Sequence, residues 1–165
     1  MNLSNKPYPD FVFESWIVGF IDSEGCFCVS FTNKSKLSLG IDVRASFSVS
    51  QESRSILALE KLKNISKCGS LRFSKKDGTY TYEVRNFQDL THKILPFFFN
   101  YYLFTNKRND FALFSEICSL IKQNQHRSKK GLIQIIELAY QMNEVGIRKR
   151  KKEELLKILE SKTFE

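Results

Sequence analysis

Cysteine pairs at metal-binding spacing are missing from this chain of 165 residues, which has four cysteines and two histidines in all. Cys26 and Cys28 would point the same way on a strand, but Cys68, Cys118, His92 and His126 are scattered, so no zinc centre is legible. The same spacing excludes a disulfide framework and favours buried thiols in an intracellular, reducing setting. Long apolar runs are missing too. "ILPFFFNYYLF", Ile94 to Phe104, is too short for a bilayer span and contains Pro96, so no membrane partner is expected. The opening "MNLSNKPYPD" has no basic segment leading into an apolar run, so no secretory signal is expected either. Acid is in deficit: 18 Asp and Glu stand against 26 Lys and Arg, a net charge of +8. That balance points to a polyanionic partner, nucleic acid before an acidic membrane surface, with simple solubility as the bland alternative. What is present is core material. Apolar residues make up 42%, with 15 phenylalanines, enough for a single domain over residues 1–165.

Pro7 and Pro9 predict an extended lead-in, and Asp10 a cap for a helix from about Phe11 to Ile21. On that helix Val12, Ser15, Trp16, Gly19 and Phe20 share a stripe. Gly25 is the stop. From Cys26 to Thr32 the pattern alternates, with Phe27, Val29 and Phe31 opposite Cys28, Ser30 and Thr32. After a turn at Asn33 to Lys36, a second strand runs from about Leu39 to Val49. It turns Ile41, Val43, Ala45, Phe47 and Val49 inward and Asp42, Arg44, Ser46, Ser48 and Ser50 outward. A helix follows from about Ser53 to Ile65. Two short strands, "GSLRFSKK" and "TYTYEVRNF", are joined by Asp77-Gly78, a hairpin turn signal. Their polar faces carry Arg72, Ser74, Thr81, Glu83 and Arg85. A helix near Asp89 is expected to break at Pro96. Helices from about Arg108 to Gln123 and Lys129 to Asn143 complete the body. A basic run in "IRKRKKEELLKILE" enters a last helix, either as a solvated end or as a phosphate contact. The order predicts an α+β fold, αββαββα: one antiparallel sheet with helices on one face, extra C-terminal helices over about 129–165 and a core over about 10–125.

Asp22 and Glu24 fall at the C-terminal end of the first helix, where the dipole disfavours acids by roughly 0.3–1 kcal/mol each. A divalent cation would offset that placement, since carboxylate and carbonyl oxygens suit Mg²⁺. Two solvated acids before a glycine are the alternative.

The nonapeptide "IVGFIDSEG", Ile17 to Gly25, resembles the motif of the LAGLIDADG homing endonucleases. Gly19, Ile21, Asp22 and Gly25 match directly, and Glu24 stands in for the second acid. Element order and length fit that family, as does "TNKRNDF", Thr105 to Phe111; the likeness weakens beyond about Ile121. The resemblance implies a saddle-shaped sheet, Mg²⁺ or Mn²⁺ as cofactor, and cleavage of double-stranded DNA at a pseudo-palindromic intron insertion site. It makes Glu24 and the Ser23 carbonyl metal ligands, and Glu24, Gln51 and Lys107 the catalytic set. Ser55 stands where the family often has an arginine, with Arg54 before it, so the second basic role stays open. One motif per chain implies a homodimer, with Trp16, Gly19, Phe20 and Asp22 at its seam. The polar strand faces would read DNA through Cys28, Ser30, Thr32, Asp42, Arg44, Ser46, Ser48, Arg72, Ser74 and Thr81. Lys34, Lys36, Lys75 and Lys76, in the turns, would grip phosphates. Some members instead bind intron RNA as maturases, and a non-cutting DNA-binding regulator is a further alternative. Richness in Lys, Asn, Phe and Ile suggests AT-rich coding DNA, which for this family often means an organelle, chloroplast or mitochondrion.

Overall fold

Alternating burial builds the centre of the molecule. The computed structural model describes residues 10–143, 148 and 150–162; Pro7, Pro9 and the side chain of Asp10 lie outside them. Helix α1 (Asp10–Glu24) passes directly into β1 (Gly25–Asn33), which pairs with β2 (Ile41–Glu52). A Cβ on Gly25 would stand 2.7 Å from the Ile21 carbonyl oxygen, so only glycine permits so abrupt a change from helix to strand. After α2 (Ile56–Ser66) come β3 (Ser70–Ser74) and β4 (Thr79–Val84), and the sheet order is β1-β2-β4-β3, antiparallel throughout. Gly78, in the turn between β3 and β4, takes φ +63°, as its Asp-Gly signal anticipates.

Phe27, Val29, Ala45, Phe47, Val49, Tyr82 and Val84 are buried on one sheet face, against the helices. Phe27 lies at the middle of the aromatic core, its ring 5.2–5.4 Å from those of Phe47, Phe98, Phe111 and Phe114. Such tilted and edge contacts between rings contribute beyond the burial of area alone. The even-numbered residues of β1 and β2 face the other way. Thr32 stands opposite Asp42, Ser30 opposite Arg44 and Cys28 opposite Ser46. Ser48 then meets Glu83, and Thr81 pairs with both Ser50 and Arg72.

One expected break does not occur. Residues 87–100 form a continuous helical run, α3, that continues through Pro96 to Asn100. A wider π-helical turn over Leu90–Ile94 precedes the proline. Proline lacks an N–H and crowds the carbonyl four residues back, and the widened turn accommodates both effects. Helix α4 (Lys107–Lys122), α5 (Lys129–Gln141) and α6 (Lys152–Ser161) follow. The last two enclose a second small core of Ile41, Leu132, Ile136, Leu155 and Leu159 beside the β1–β2 hairpin. Among the described residues no helix is long and apolar enough to cross a membrane.

Candidate active site and nucleic-acid interface

Helix α1 is apolar on two sides. Ile17, Val18 and Ile21 are buried in the core, whereas Val12, Ser15, Trp16 and Gly19 form an exposed stripe with Phe20 half-buried beside it. Trp16 and Phe20 stack with ring centroids 5.2 Å apart. A Cβ on Gly19 would meet nothing within 4 Å, so no neighbour among the described residues requires a glycine there. Trp16 is 41% exposed, and Phe104, near the other end of the helix, is 85% exposed.

The two acids at the helix end have different surroundings. Asp22 is buried and fully engaged. It accepts hydrogen bonds from the Phe104 amide (2.8 Å), the Thr105 amide (3.2 Å) and the Thr105 hydroxyl (2.6 Å). Burial pushes its carboxyl up, but the Thr105 hydroxyl, the two amides and the Lys107 ammonium outweigh that and hold it below the usual carboxylate value. Glu24 is exposed, with the Ser23 hydroxyl donating to its Oε1 at 3.1 Å. Thus Asp22 ties the segment before α4 to the end of α1, and Glu24 faces solvent.

That tie positions Lys107. Thr105 Oγ1 accepts from the Lys107 amide at 3.2 Å, and the Lys107 ammonium donates to the Gly25 carbonyl, one residue beyond Glu24. Gln51 approaches from β2. Val49 is the register partner of Gly25, and Gln51, half-buried, lies two residues past it at the same end of the sheet. Among the described residues no group of three or more His, Cys, Asp or Glu is placed to hold a metal ion. Within one chain the hard oxygen donors at this end are the Glu24 carboxylate and nearby main-chain carbonyls, a set that suits Mg²⁺ with several waters retained.

The outer sheet face carries the sequence-derived contact residues on all four strands. Cys28, Ser46, Ser48, Ser74 and Thr81 are half-exposed, and Ser30, Thr32, Arg44 and Arg72 exposed. Ser50 and Thr81 share a hydrogen bond of 2.8 Å across β2 and β4. Lys34 and Lys36 lie in the loop before β2, Lys75 and Lys76 in the turn after β3, all exposed. Lys34 is not free: its ammonium lies 2.8 Å from Asp42.

The basic run holds a residue that sequence reasoning left between two readings. Arg148 packs inward. Its guanidinium donates to the carbonyls of Val29 (3.3 Å), Met142 (3.2 Å) and Ala139, and lies 4.6 Å above the Tyr140 ring. Asn143 donates to the Phe27 carbonyl at 2.8 Å. Together they cover the outer edge of β1, whose carbonyls have no neighbouring strand among the described residues. The role of Thr105 was also missed, although it lies in the quoted "TNKRNDF". Nothing in the sequence says which acid its hydroxyl meets.

The LAGLIDADG endonuclease family model matches residues 17–118. A "probable intron-encoded endonuclease 2" of Neurospora crassa is 34% identical over 124 residues, covering 75% of this chain and 26% of that protein. The chain thus spans about a quarter to under half of the curated relatives it matches. Among solved structures, the archaeal intron-encoded homing endonuclease I-Vdi141I, complexed with DNA, superposes with a TM-score of 0.84 at 29% identity, covering 93% of this chain and 98% of that one. I-SmaMI, bound to an uncleaved DNA target in the presence of calcium ions, gives 0.79 at 34% identity over 87% of this chain and 47% of that one.

Proposed function

The chain belongs to the LAGLIDADG endonuclease family, and we propose that it is a homing endonuclease that cuts both strands of a long, pseudo-palindromic DNA target, the insertion site of its own intron. One observation carries this reading: Glu24, Lys107 and Gln51 lie at the same end of a sheet whose open face is lined with hydrogen-bonding groups. The intron-encoded naming of the Neurospora relative and the DNA held by I-Vdi141I favour this over the maturase and regulator alternatives. Coding in an organelle, chloroplast or mitochondrion, belongs to the same proposal.

Glu24 and the Ser23 carbonyl would hold a divalent cation, Mg²⁺ or Mn²⁺. A cation held there would lower the pKa of the attacking water and offset charge developing at phosphorus. Lys107, steadied by the Gly25 carbonyl, brings a positive charge to the same place, where it would stabilise the extra negative charge of the transition state. Gln51 would orient the attacking water through its amide. Asp22 takes no part in holding the metal, because its oxygens are already occupied by the Phe104 and Thr105 donors.

One chain supplies one such centre, and cutting two strands requires two. The exposed apolar stripe of α1, open at Gly19, supports a homodimer in which two copies of this helix pack closely. In that assembly the paired sheets would lie in the major groove, where every base pair shows a distinct donor and acceptor pattern. Ser23 and Glu24 of each copy then stand beside the two-fold axis, one centre for each strand.

The test is a duplex made by joining the sequences that flank the intron carrying this reading frame. Purified protein should cut it on both strands with Mg²⁺ and leave it whole in EDTA. A duplex that stays intact with Mg²⁺ and with Mn²⁺ would sink the proposal.

A further inference from the structure

Three places, one within the sheet and two at strand ends, repeat one arrangement that the catalytic reading does not use. An acid and an arginine stand two residues apart: Asp42 and Arg44, Glu52 and Arg54, Glu83 and Arg85. In each, the arginine Nε faces a carboxylate oxygen of its acid, at 2.9, 2.7 and 2.8 Å. The arginine is exposed in all three, and ion pairs open to solvent contribute little to stability, so folding alone does not account for the recurrence.

The chemistry of a guanidinium does. Arginine has five N–H donors in one rigid plane. With Nε taken by a carboxylate, the plane is held by its inner edge, and the Nη1 and Nη2 fork is left over. That fork can still bond guanine O6 and N7 together. Holding it in advance removes rotamer freedom that binding would otherwise have to remove.

The dyad of Asp42 and Arg44 has further features. Both residues lie within β2 on its outer face, opposite Thr32 and Ser30 of β1. The Asp42 side chain is 23% exposed and that of Arg44 58%, so the acid forms the base and the arginine projects. Asp42 also holds Lys34, whose ammonium reaches the same oxygen at 2.8 Å. The Lys34 and Arg44 contacts keep the Asp42 carboxyl below its usual value, so it stays charged at neutral pH.

We propose that Asp42 is a specificity-determining positioning residue, which holds Arg44 oriented to read one guanine in the stretch of DNA under each copy of the chain. The idea rests on the DNA-reading role given above to the sheet. The carboxylate acts in two ways. It aims the fork at a base edge, and its negative charge disfavours the alternative in which Arg44 swings onto a phosphate. Lys34, by contrast, can exchange Asp42 for a phosphate without losing a charge partner, and this sets register and not sequence.

Selection of bound duplexes from a randomised library tests this without a known target. It uses the full chain and its Arg44→Ala, Asp42→Asn, Asp42→Ser and Lys34→Ala variants, each checked for an unchanged melting profile. The wild type should enrich a site with a guanine that Arg44→Ala no longer selects. Both Asp42 variants should weaken the preference at that same position by about fivefold or more, and bind scrambled duplex more tightly. Lys34→Ala should weaken binding to all sequences alike. If the Asp42 variants enrich the wild-type site with its guanine preference intact, or if Arg44→Ala leaves every preference unchanged, the proposal is overturned while the endonuclease reading stands. A wild type that enriches no sequence overturns both.

Discussion

The Thr105 hydroxyl donates to the Asp22 carboxylate across 2.6 Å, joining two parts of the chain that lie 83 residues apart. The bond fixes the end of α1 against the start of α4, and with it the approach of Lys107 to Gly25. Thr105→Val should therefore destabilise the fold by about 1–3 kcal/mol, because it leaves a buried carboxylate short of a donor. Because the folded Asp22 carboxyl lies below its unfolded value, its stabilisation is fully present above the unfolded value near pH 4. It disappears as pH falls through the lower folded value. Urea unfolding at pH 7 and at decreasing acid pH checks both: the gap between wild type and Thr105→Val should close in acid.

Arg148 should behave as a structural residue and not as a phosphate contact. Arg148→Ala uncovers the carbonyls of Val29 and Met142 and is expected to cost about 2 kcal/mol. Arg148→Lys should not restore it, since one compact ammonium cannot span both carbonyls as a planar fork does. Thermal unfolding of the two variants, with the salt dependence of DNA binding unchanged, is the expected result.

Gly19 separates folding from assembly. Gly19 is exposed and a Cβ there meets nothing among the described residues, so the Gly19→Leu monomer should fold at least as well as wild type, with a gain of up to about 1 kcal/mol in helix propensity. The same side chain would hold two α1 helices apart. Sedimentation equilibrium should show wild-type dimers and Gly19→Leu monomers; dimers from both would remove α1 from the interface.

The turn lysines predict a steep salt dependence. Binding to duplex DNA should fall linearly on a log–log plot, and Lys75→Ala or Lys76→Ala should each lower the slope by about 0.9. Affinity that hardly changes between low and moderate salt would contradict the phosphate-gripping role.

Strand alternation was legible in the sequence because a half-buried sheet writes its faces as a period of two, as Phe27, Val29, Phe47 and Val49 show. The α1 stripe could also be read, but its direction could not. A helix apolar on both sides shows no contrast, and only packing reveals that Ile17, Val18 and Ile21 are the inner set. Pro96 misled because a π turn can absorb a proline, and local rules do not register such a turn in advance. The partners of Asp22 and Arg148 were hidden for another reason: both are side-chain contacts made across long separations or onto main-chain atoms, which carry no residue-type signature. The acid–arginine dyads were visible at their fixed spacing; what they lacked was a strand geometry to give the spacing meaning.

Glu24, alone among the acids at the end of α1, is the one proposed to support phosphodiester hydrolysis. Glu24 is exposed and contacted by the Ser23 hydroxyl, so Glu24→Gln preserves size and leaves the outer sheet face untouched. The direct measurement is single-turnover cleavage of the joined-exon duplex by Glu24→Gln beside a gel-shift titration of the same duplex. Binding is expected to stay within about twofold of wild type while the cleavage rate falls by a factor of about 100 or more, consistent with loss of a metal ligand. Cleavage at the wild-type rate would contradict the proposed role of Glu24.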